Sequence, residues 1–459
     1  MSTMVEDLAQ FVQKARYERL TGYAVETLKI RILDAIACAI GAAGSSPVHM
    51  LHRYIDEMGG NPHAGLIGGG RTSVDRAALY NGFLVRYLDF NDSYLAPGET
   101  CHPSDNIAAV LAAAEYADVS GKDFLAALAI AYQVQCRLSD VAPVRDKGFD
   151  HTVQGLYAVA AAVGKVMNFD EEQLINAIAI AGTAFNALRV TRTGSLSHWK
   201  GMAYPNAAFC GIHAAFLAKQ GITGPRQVFE GNKGFMDSIS GRFEIDWENE
   251  NLEKVTNTIT KKFNAEIHSQ STLEGVMDLR EEHHIDAAEV ERIDLETFDV
   301  AYHIIGGGEE GDKTKVTRKE EADHSLHYMI AAALLDGHVM PEQYRKERIR
   351  ASDIQQLLRK VYVREADDLS ERFPREMPIR LAITTQGGKS YSIEKSDYEG
   401  FSTRPAKWDA VVNKFSRLTY NKISESDRER LQTVVKTLDE RPVYELVKSL
   451  QELNLRGTL

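Results

Sequence analysis

The chain has 459 residues, of which 53 are Lys or Arg and 65 are Asp or Glu, so its formal net charge is −12. Apolar residues make up 44% and charged residues 26%, which is an ordinary globular composition. A chain of this length predicts more than one domain. The acidic balance excludes a general nucleic-acid binder, which needs a basic face. It is compatible with a small anionic substrate, which a local basic site can bind.

No segment of the sequence predicts a membrane span. The longest uncharged apolar stretch, 173–188, is interrupted by polar side chains, whereas a span needs about twenty mainly apolar residues. The N-terminal segment is charged throughout and lacks the apolar core of a signal peptide. These features predict a cytoplasmic protein, with an organellar matrix as the alternative.

The four cysteines are widely spaced, and none belongs to a CxxC pair. Disulfide frameworks are typical of short secreted chains, and iron–sulfur clusters usually show closely spaced thiolates. Neither pattern is present. Cys38, Cys136 and Cys210 lie in Ala-rich segments, which favours packing in a helical core.

The first 260 residues predict mostly α-helix. Segment 24–43 has apolar residues at helical spacing and ends just before Gly44. Further segments rich in Ala, Ile and Leu are 106–117, 123–137, 154–167, 171–188 and 204–219. Because Ala is the best helix former and lets helices approach closely, these segments predict a bundle with nearly all-apolar central helices.

The pattern changes near residue 265. Segments 290–300, 360–365 and 379–395 alternate apolar and polar residues, which is typical of strands. Segment 321–336 predicts a helix, and helical patterns return after Pro405. We therefore predict a mainly α fold with an α+β part. Its divisions are an all-helical domain at 1–264, a smaller α+β domain at 265–404 and a helical segment at 405–459.

The polar stretch 88–106 lies between two apolar helical segments and carries Asp89, Ser93 and His102. Loops that join rigid elements often carry function. A solvated loop whose Ser and Asp residues cap the following helix is the alternative interpretation.

Two further polar stretches are candidates. Stretch 145–155 contains His151 just before an apolar helix, where a capping or packing histidine is the alternative. Stretch 187–209 contains Arg192 and Lys200, and such cations suit a substrate with several carboxylates. A solvated turn explains the second stretch equally well.

His268 and Tyr328 stand in separate motifs, and each by itself favours a structural role. A metal site that uses histidines with Asp89 is conceivable, but the sequence has no HxH or HExxH spacing. We therefore predict no metal site.

Seven motifs in a fixed order, from residue 30 to about residue 420, resemble the MmgE/PrpD family. This family includes 2-methylcitrate dehydratase, cis-aconitate decarboxylase and iminodisuccinate epimerase. The motifs are ILDAIACAIGAAG, LDFNDS with CHPSDN, GFDHT, TRTGSLSHWKGMAYPNAA, KKFNAEIHSQS, ADHSLHYMIAAALLDG and STRPAKWDAVVNKF. Each motif alone is loose, but the ordered set is specific.

The resemblance implies a large helical domain, an inserted α+β domain and a last segment, 405–459, that returns to the first domain. It also implies a homodimer, catalysis without a cofactor, and no nucleic-acid or membrane partner. Carried over by motif, the catalytic residues are Asp89, Ser93, His102, His151, Lys200, His268 and Tyr328. We add Arg192 to Lys200 and His268 as residues that bind substrate carboxylates.

The implied reaction is dehydration of 2-methylcitrate or citrate to the corresponding aconitate through a stabilised carbanion. Histidine has a suitable pKa of about 6.5, so we predict His102 or His151 as the base and the other as the acid. Cations would stabilise the developing charge, and Asp89 would orient a histidine. We expect the substrate between the two domains, where such sites are common. The alternatives are a cis-aconitate decarboxylase that forms itaconate and a non-catalytic helical dimeric binding protein.

Overall fold

The computed structural model describes residues 2–194, 196–309 and 311–455. Ser195, in the motif TRTGSLSHWKGMAYPNAA, lies outside the described residues. The chain divides into two compact units. The helical unit contains Met1–Arg192, His198–Thr258 and Lys407–Leu459, and the mixed unit contains Thr193–Ser197 and Ile259–Ala406. Helices make up 59% and strands 9% of the structure, which confirms the predicted mainly α fold with an α+β part.

The helical unit is a bundle of long helices whose central members are buried on nearly every face. In α7 (Thr152–Val166), for example, all thirteen residues from Thr152 to Gly164 are buried, which matches its Ala- and Val-rich sequence. Helix α9 packs against α4, α7 and α8, while α17 packs against α2. The helices, numbered along the whole chain, are α1 (Met4–Lys14), α2 (Gly22–Ala42), α3 (Ser46–Met58), α4 (Val74–Tyr87), α5 (Ile107–Ala117), α6 (Gly121–Val141), α7 (Thr152–Val166), α8 (Glu171–Ala184), α9 (Trp199–Lys219), α17 (Trp408–Thr419), α18 (Glu425–Lys436) and α19 (Val443–Gln451).

Two helix boundaries differ from the sequence prediction in a way that affects the candidate site. Helix α8 ends at Ala184 instead of continuing to residue 188, and a 3-10 turn follows at Arg189–Arg192. Helix α9 begins at Trp199, before the predicted start at residue 204, so Lys200 lies in its first turn. The predicted polar stretch 187–209 therefore combines part of the connection between α8 and α9 with the first turns of α9.

Two small antiparallel hairpins belong to the same unit. They are β1 (Ala64–Gly65) with β2 (Arg71–Thr72), and β3 (Tyr94–Ala96) with β4 (Glu99–Cys101). The second hairpin turns at Pro97 and Gly98, where glycine accepts a φ of 76° without strain. It fills the interval between Ser93 and His102.

The mixed unit contains a four-stranded sheet in the order β6-β5-β7-β8. Its central pair is antiparallel, with Leu295 opposite Leu381, whereas β6 runs parallel to β5. Helices α10 and α13 pack beside the sheet. The elements are α10 (Gln270–His283), β5 (Val290–Thr297), α11 (Asp299–Ala301), α12 (Lys319–Ala322), α13 (Leu326–Asp336), α14 (Lys346–Ile349), α15 (Ser352–Leu357), β6 (Val361–Glu365), α16 (Asp367–Ser370), β7 (Ile379–Thr385) and β8 (Ser390–Lys395).

The three predicted strand segments are confirmed, and the last is a hairpin that turns at Gln386–Gly388. The predicted helix 321–336 is interrupted after Ala322 because Ser325 accepts a hydrogen bond from the Tyr328 amide and caps a new helix. All four cysteines are buried thiols. In the described part of the chain, no helix combines the length and apolar character that a bilayer crossing requires.

Candidate active site

Asp89 follows the end of α4 in a left-handed conformation, with a φ of 54°. Aspartate tolerates this region better than most residues, so the chain can turn sharply here. The turn directs the buried carboxylate toward two cations: Asp89 Oδ1 lies 2.5 Å from Arg86 Nη1, and Oδ2 lies 3.2 Å from Lys200 Nζ. Asp89 therefore joins the end of α4 to the first turn of α9.

Arg86, in the last turn of α4, is the buried centre of this charge cluster. Besides Asp89 it contacts Asp105, with 3.4 Å between Nε and Oδ2. Burial raises the pKa of Asp105 to about 7, although the Arg86 charge opposes the rise. Asn91 donates to the other Asp105 oxygen at 2.7 Å. The cluster thus holds the loop that leads to His102 against α4.

His102 is fixed by its Nδ1 atom. This atom lies 2.8 Å from the Asp92 carbonyl oxygen and 3.0 Å from the Ser93 hydroxyl. Because a carbonyl can only accept, the Nδ1 atom must carry the proton when it bonds to Asp92. The lone pair of the neutral ring is then on Nε2, the atom that can take a proton from a substrate.

The Asp92 carboxylate holds the same loop from the other side. It accepts from the Ser104 amide at 3.0 Å and from the Tyr132 hydroxyl at 2.9 Å. All three groups are buried. The turn that presents His102 is therefore fixed by its own side chains and by α6.

His151 begins α7, and its ring lies 5.5 Å from that of His102 at an angle of 71°. Burial first, and then repulsion from Arg192, lowers the pKa of His151 to about 3. Among the described residues, neither of its ring nitrogens has a hydrogen-bond partner. The structure therefore brings two of the predicted histidines together, with His151 neutral at physiological pH.

Asp150 precedes His151 and pairs with Arg192 through two bonds, Nε to Oδ2 at 2.6 Å and Nη2 to Oδ1 at 3.3 Å. Burial alone would raise the pKa of Asp150, but the charge and hydrogen bonds of Arg192, with smaller contributions from His151 and the Thr152 amide, together lower the pKa well below the usual range. Arg192 thus holds the start of α7. Its predicted role in binding a substrate carboxylate stays a prediction.

His268 belongs to the mixed unit, in a 3-10 turn before α10. Its Nδ1 atom lies 2.8 Å from Glu266 Oε1, and its amide donates to Glu266 Oε2 at 2.8 Å. In the described part of the chain, its Nε2 atom is buried without a hydrogen-bond partner. The rings of Phe298 and Phe373 lie edge-on to it at 5.8 and 5.6 Å.

Tyr328, also in the mixed unit, lies in the first turn of α13 and is fully buried. Its hydroxyl donates to the Gln343 carbonyl. Burial raises the pKa of Tyr328 above the ordinary range. A hydroxyl engaged with the backbone has a structural function here, and its predicted catalytic role stays a prediction.

Among the described residues, no group of three or more His, Cys, Asp and Glu side chains is arranged to hold a metal ion.

Comparison with known proteins identifies the family. Residues 6–248 match the model of the MmgE/PrpD N-terminal domain, and residues 263–440 match that of the MmgE/PrpD C-terminal domain. The chain belongs to the MmgE/PrpD family. This confirms the resemblance that the seven motifs predict.

Members of this family differ in their named reactions. The chain is 27% identical to the 2-methylcitrate dehydratase of Salmonella typhimurium, over 83% of this chain and 82% of that protein. It is 26% identical to the probable 2-methylcitrate dehydratase of Saccharomyces cerevisiae, over 81% and 75%. It is also 24% identical to the cis-aconitate decarboxylase of Mus musculus, over 96% and 91%.

Three charged residues of this MmgE/PrpD chain were not among the predicted site residues, although Asp150 and Glu266 stand inside two of the seven motifs. Arg86 holds Asp89, Asp150 is held by Arg192, and Glu266 holds His268. Each stands within three residues of a motif histidine or aspartate, and that proximity was the available signal. Their partners, however, depend on the turn each segment makes.

Proposed function

We propose that this chain is a hydro-lyase that dehydrates 2-methylcitrate or a closely similar tricarboxylate. The observation that carries the proposal is the contact between His102 and His151, two buried imidazoles in different environments. The dehydratase names among the relatives support the choice of reaction.

In this proposal His102 is the base. Its proton on Nδ1 is directed to the Asp92 carbonyl, so the lone pair of the neutral ring is on Nε2. Nε2 removes a proton from the carbon beside a substrate carboxylate. His151 is less suited to this step because burial and Arg192 lower its pKa to about 3. The structure thus favours one of the two histidines that the sequence could not distinguish.

The electron pair left by the proton forms the new carbon–carbon double bond as the neighbouring carbon–oxygen bond breaks. Negative charge that develops on the carboxylate during this step needs a cation in a buried environment. Lys200 supplies it from the first turn of α9, where Asp89, itself paired with Arg86, holds the lysine. The departing hydroxide takes up one proton and leaves as water. Protonated His102 is the donor, because giving up the proton returns its ring to the neutral form. The neutral ring of His151 can only donate a hydrogen bond to the leaving oxygen.

The predicted roles of His268 and Tyr328 are kept in the proposal as predictions. His268 would bind a substrate carboxylate, and Tyr328 would donate a hydrogen bond. Arg192 acts in this proposal by holding Asp150, through the paired bonds described above.

Product identification tests the proposal. Chelator-treated protein is incubated separately with 2-methylcitrate, citrate and cis-aconitate, and the products are identified by NMR. We expect 2-methylcitrate to lose its hydroxyl and give an alkene. Complete lack of conversion of all three compounds would favour the non-catalytic binding protein.

A cis-aconitate decarboxylase is the second candidate, because the mouse enzyme of that name aligns with 96% of this chain. Loss of carbon dioxide leaves the same kind of carbanion, which a histidine then protonates. Release of carbon dioxide from cis-aconitate, without conversion of 2-methylcitrate, would establish this alternative.

We also propose a homodimer. Leu188, Val190 and Trp199 of the helical unit are 58%, 70% and 48% exposed. Where such side chains form one contiguous apolar patch, the patch often marks an interface. Light scattering coupled to size-exclusion chromatography should give twice the chain mass. Val190→Asp should lower that mass if this surface is the interface.

A further inference from the structure

We propose that Glu266 is the positioning residue for His268: it fixes the imidazole so that Nε2 is the atom presented to the substrate. This inference rests on the proposed function, since it adds a residue to the same reaction. It is carried by the geometry around Glu266 within the mixed unit.

A single carboxylate holds both the backbone and the ring of His268. Glu266 Oε2 accepts from the His268 amide, and Oε1 lies at hydrogen-bond distance from Nδ1, each at 2.8 Å. The two oxygens therefore fix the position of the residue and the rotation of its ring. A carboxylate that served only to neutralise a nearby charge would not need to contact both the amide and the ring of His268.

The backbone of Glu266 is itself anchored. Its amide donates to the Asp323 carbonyl at 3.1 Å, and its own carbonyl accepts from the Ser269 hydroxyl at 2.6 Å. Phe298 and Phe373 limit the ring of His268 at its edges and stack on each other at 4.4 Å. The carboxylate and the imidazole are thus held on a rigid support.

The charge state of Glu266 decides the tautomer of His268. Burial alone would raise the pKa of Glu266, but attraction to His268, the hydrogen bond with its ring and attraction to His324 and Lys261 together lower the pKa to about 2. An ionised carboxylate can only accept, so the proton of the bond must be on the Nδ1 atom of His268. A partner that fixes the second ring nitrogen in this way is a recurring device in catalytic sites.

The Nε2 atom is the free end of this arrangement. It is buried, and among the described residues it has no hydrogen-bond partner. Native proteins satisfy most buried polar atoms, so an exception needs an explanation such as a ligand or a functional role. A substrate carboxylate or a reacting proton is the partner that this family's chemistry would supply.

The first test compares kinetics of the wild type with Glu266→Gln and Glu266→Asp. The side chain of Gln has one acceptor oxygen, so its NH2 group must face either the His268 amide or the Nδ1–H group of the ring. We therefore expect kcat/KM for 2-methylcitrate to fall about 10- to 100-fold. Asp keeps the charge with a shorter reach, so it should recover part of the loss. An unchanged kcat/KM in folded Glu266→Gln overturns the proposal.

Glu274→Gln is the matched control. Glu274 is a buried glutamate of the same unit whose pKa is also lowered to about 2, but its partners are Lys262, Lys395 and Arg404. We expect this variant to lose stability without the kinetic defect. An equal fall in kcat/KM in both variants would overturn a specific role for Glu266.

A second measurement does not depend on any variant or on turnover. Neutron diffraction from crystals of deuterated wild-type protein locates the deuterium atoms of the His268 ring. Deuterium on Nδ1, directed at Glu266, supports the proposal, and its absence from Nδ1 overturns it. If no tested tricarboxylate is converted, the proposed function fails, while this measurement still decides whether Glu266 sets the tautomer.

Discussion

Lys200 Nζ lies 3.2 Å from Asp89 Oδ2, and both side chains are buried although 111 residues separate them in the chain. The contact forms because α4 ends in a left-handed turn at Asp89 while α9 starts early enough to carry Lys200 in its first turn. A buried ammonium needs such a partner, since isolated charges are very costly to bury. Lys200 is thus held as a fixed cation within the helical unit.

Lys200→Met should remove this cation and lower turnover about 100- to 1,000-fold, the usual cost of losing one stabiliser of transition-state charge. The variant should also lose stability because Asp89 loses one of its two partners. Breaking a buried ion pair costs about 3–5 kcal/mol, and we expect a smaller loss because Arg86 remains. Initial rates and thermal unfolding measure the two effects.

Lys29→Met is the control for this variant. Lys29 pairs with Asp439 in the same unit but outside the candidate site. We expect a loss of stability with unchanged turnover. If Lys200→Met unfolds at a lower temperature yet keeps full turnover, Lys200 has only a structural role.

His102→Asn should nearly abolish turnover. The Asn amide can still donate to the Asp92 carbonyl, so the loop should keep its fold, but no basic nitrogen remains. Loss of a general base typically costs about 100- to 10,000-fold. Ser93→Ala should have a much smaller effect, because the Asp92 carbonyl continues to hold Nδ1. His52→Asn, at a surface histidine paired with Asp56, is the control. Wild-type rates in His102→Asn would remove His102 from the mechanism.

Local periodicity was sufficient to predict much of the fold. The Ala-rich segments of α5, α6 and α7 and the alternating strands β5 to β8 carry their own signal within a few turns or residues. Helix α4 was predicted only as an apolar helical segment before residue 88, without bounds, because buried Asn81 and Arg86 interrupt its apolar pattern. The end of α8 was placed too late for a related reason: apolar residues continue past Ala184 into an exposed connection.

The candidate site was less predictable than the fold. Motifs identify His102 and His151, but their 5.5 Å contact arises from the packing of separate helices. Arg192 looks like a free cation in the sequence, yet Asp150, 42 residues away, occupies its guanidinium. Such pairs depend on long-range packing, which no local pattern encodes. The same holds for Glu99, which the sequence places in a loop and the structure buries in a hairpin.

Glu99→Gln should become more stable relative to the wild type as the pH rises. Glu99 is buried in β4, and its Oε2 atom accepts from the Val144 and Arg145 amides, each at 3.0 Å. Burial raises its pKa from 4.5 to about 7. Below pH 4.5 the Glu99 carboxyl is protonated in both the folded and the unfolded chain, and the stability that the raised pKa contributes is complete. As the pH rises from 4.5 through 7, the unfolded chain gives up this proton more readily than the folded protein, so that contribution to the free energy of unfolding is lost.

The amide oxygen of Gln can accept both amide bonds and stays neutral, so the variant avoids this loss. The difference in free energy of unfolding should reach about 3 kcal/mol at most near pH 8. Urea unfolding at pH 4.5, 6 and 8 measures it. A difference that does not change with pH would show that Glu99 does not titrate in this range. Glu99→Leu should lower turnover. Leucine cannot accept from the Val144 and Arg145 amides, so the hairpin that precedes His102 would no longer be bonded to the turn that precedes His151.

His151→Gln should show the opposite dependence on pH. The pKa of His151 is lowered from 6.5 to about 3 in the folded protein, so the unfolded chain alone takes up a proton between these values. Wild-type stability is therefore lost as the pH falls from 6.5 toward 3, by about 1.4 kcal/mol for each pH unit. Glutamine does not titrate, so the variant should gain about 2 kcal/mol relative to the wild type between pH 7.5 and pH 5. Urea unfolding at these two pH values measures the change. Asp150 keeps its charge throughout this range because its pKa is lowered well below the usual range, so a change of the wrong sign would mean that His151 is protonated in the folded protein.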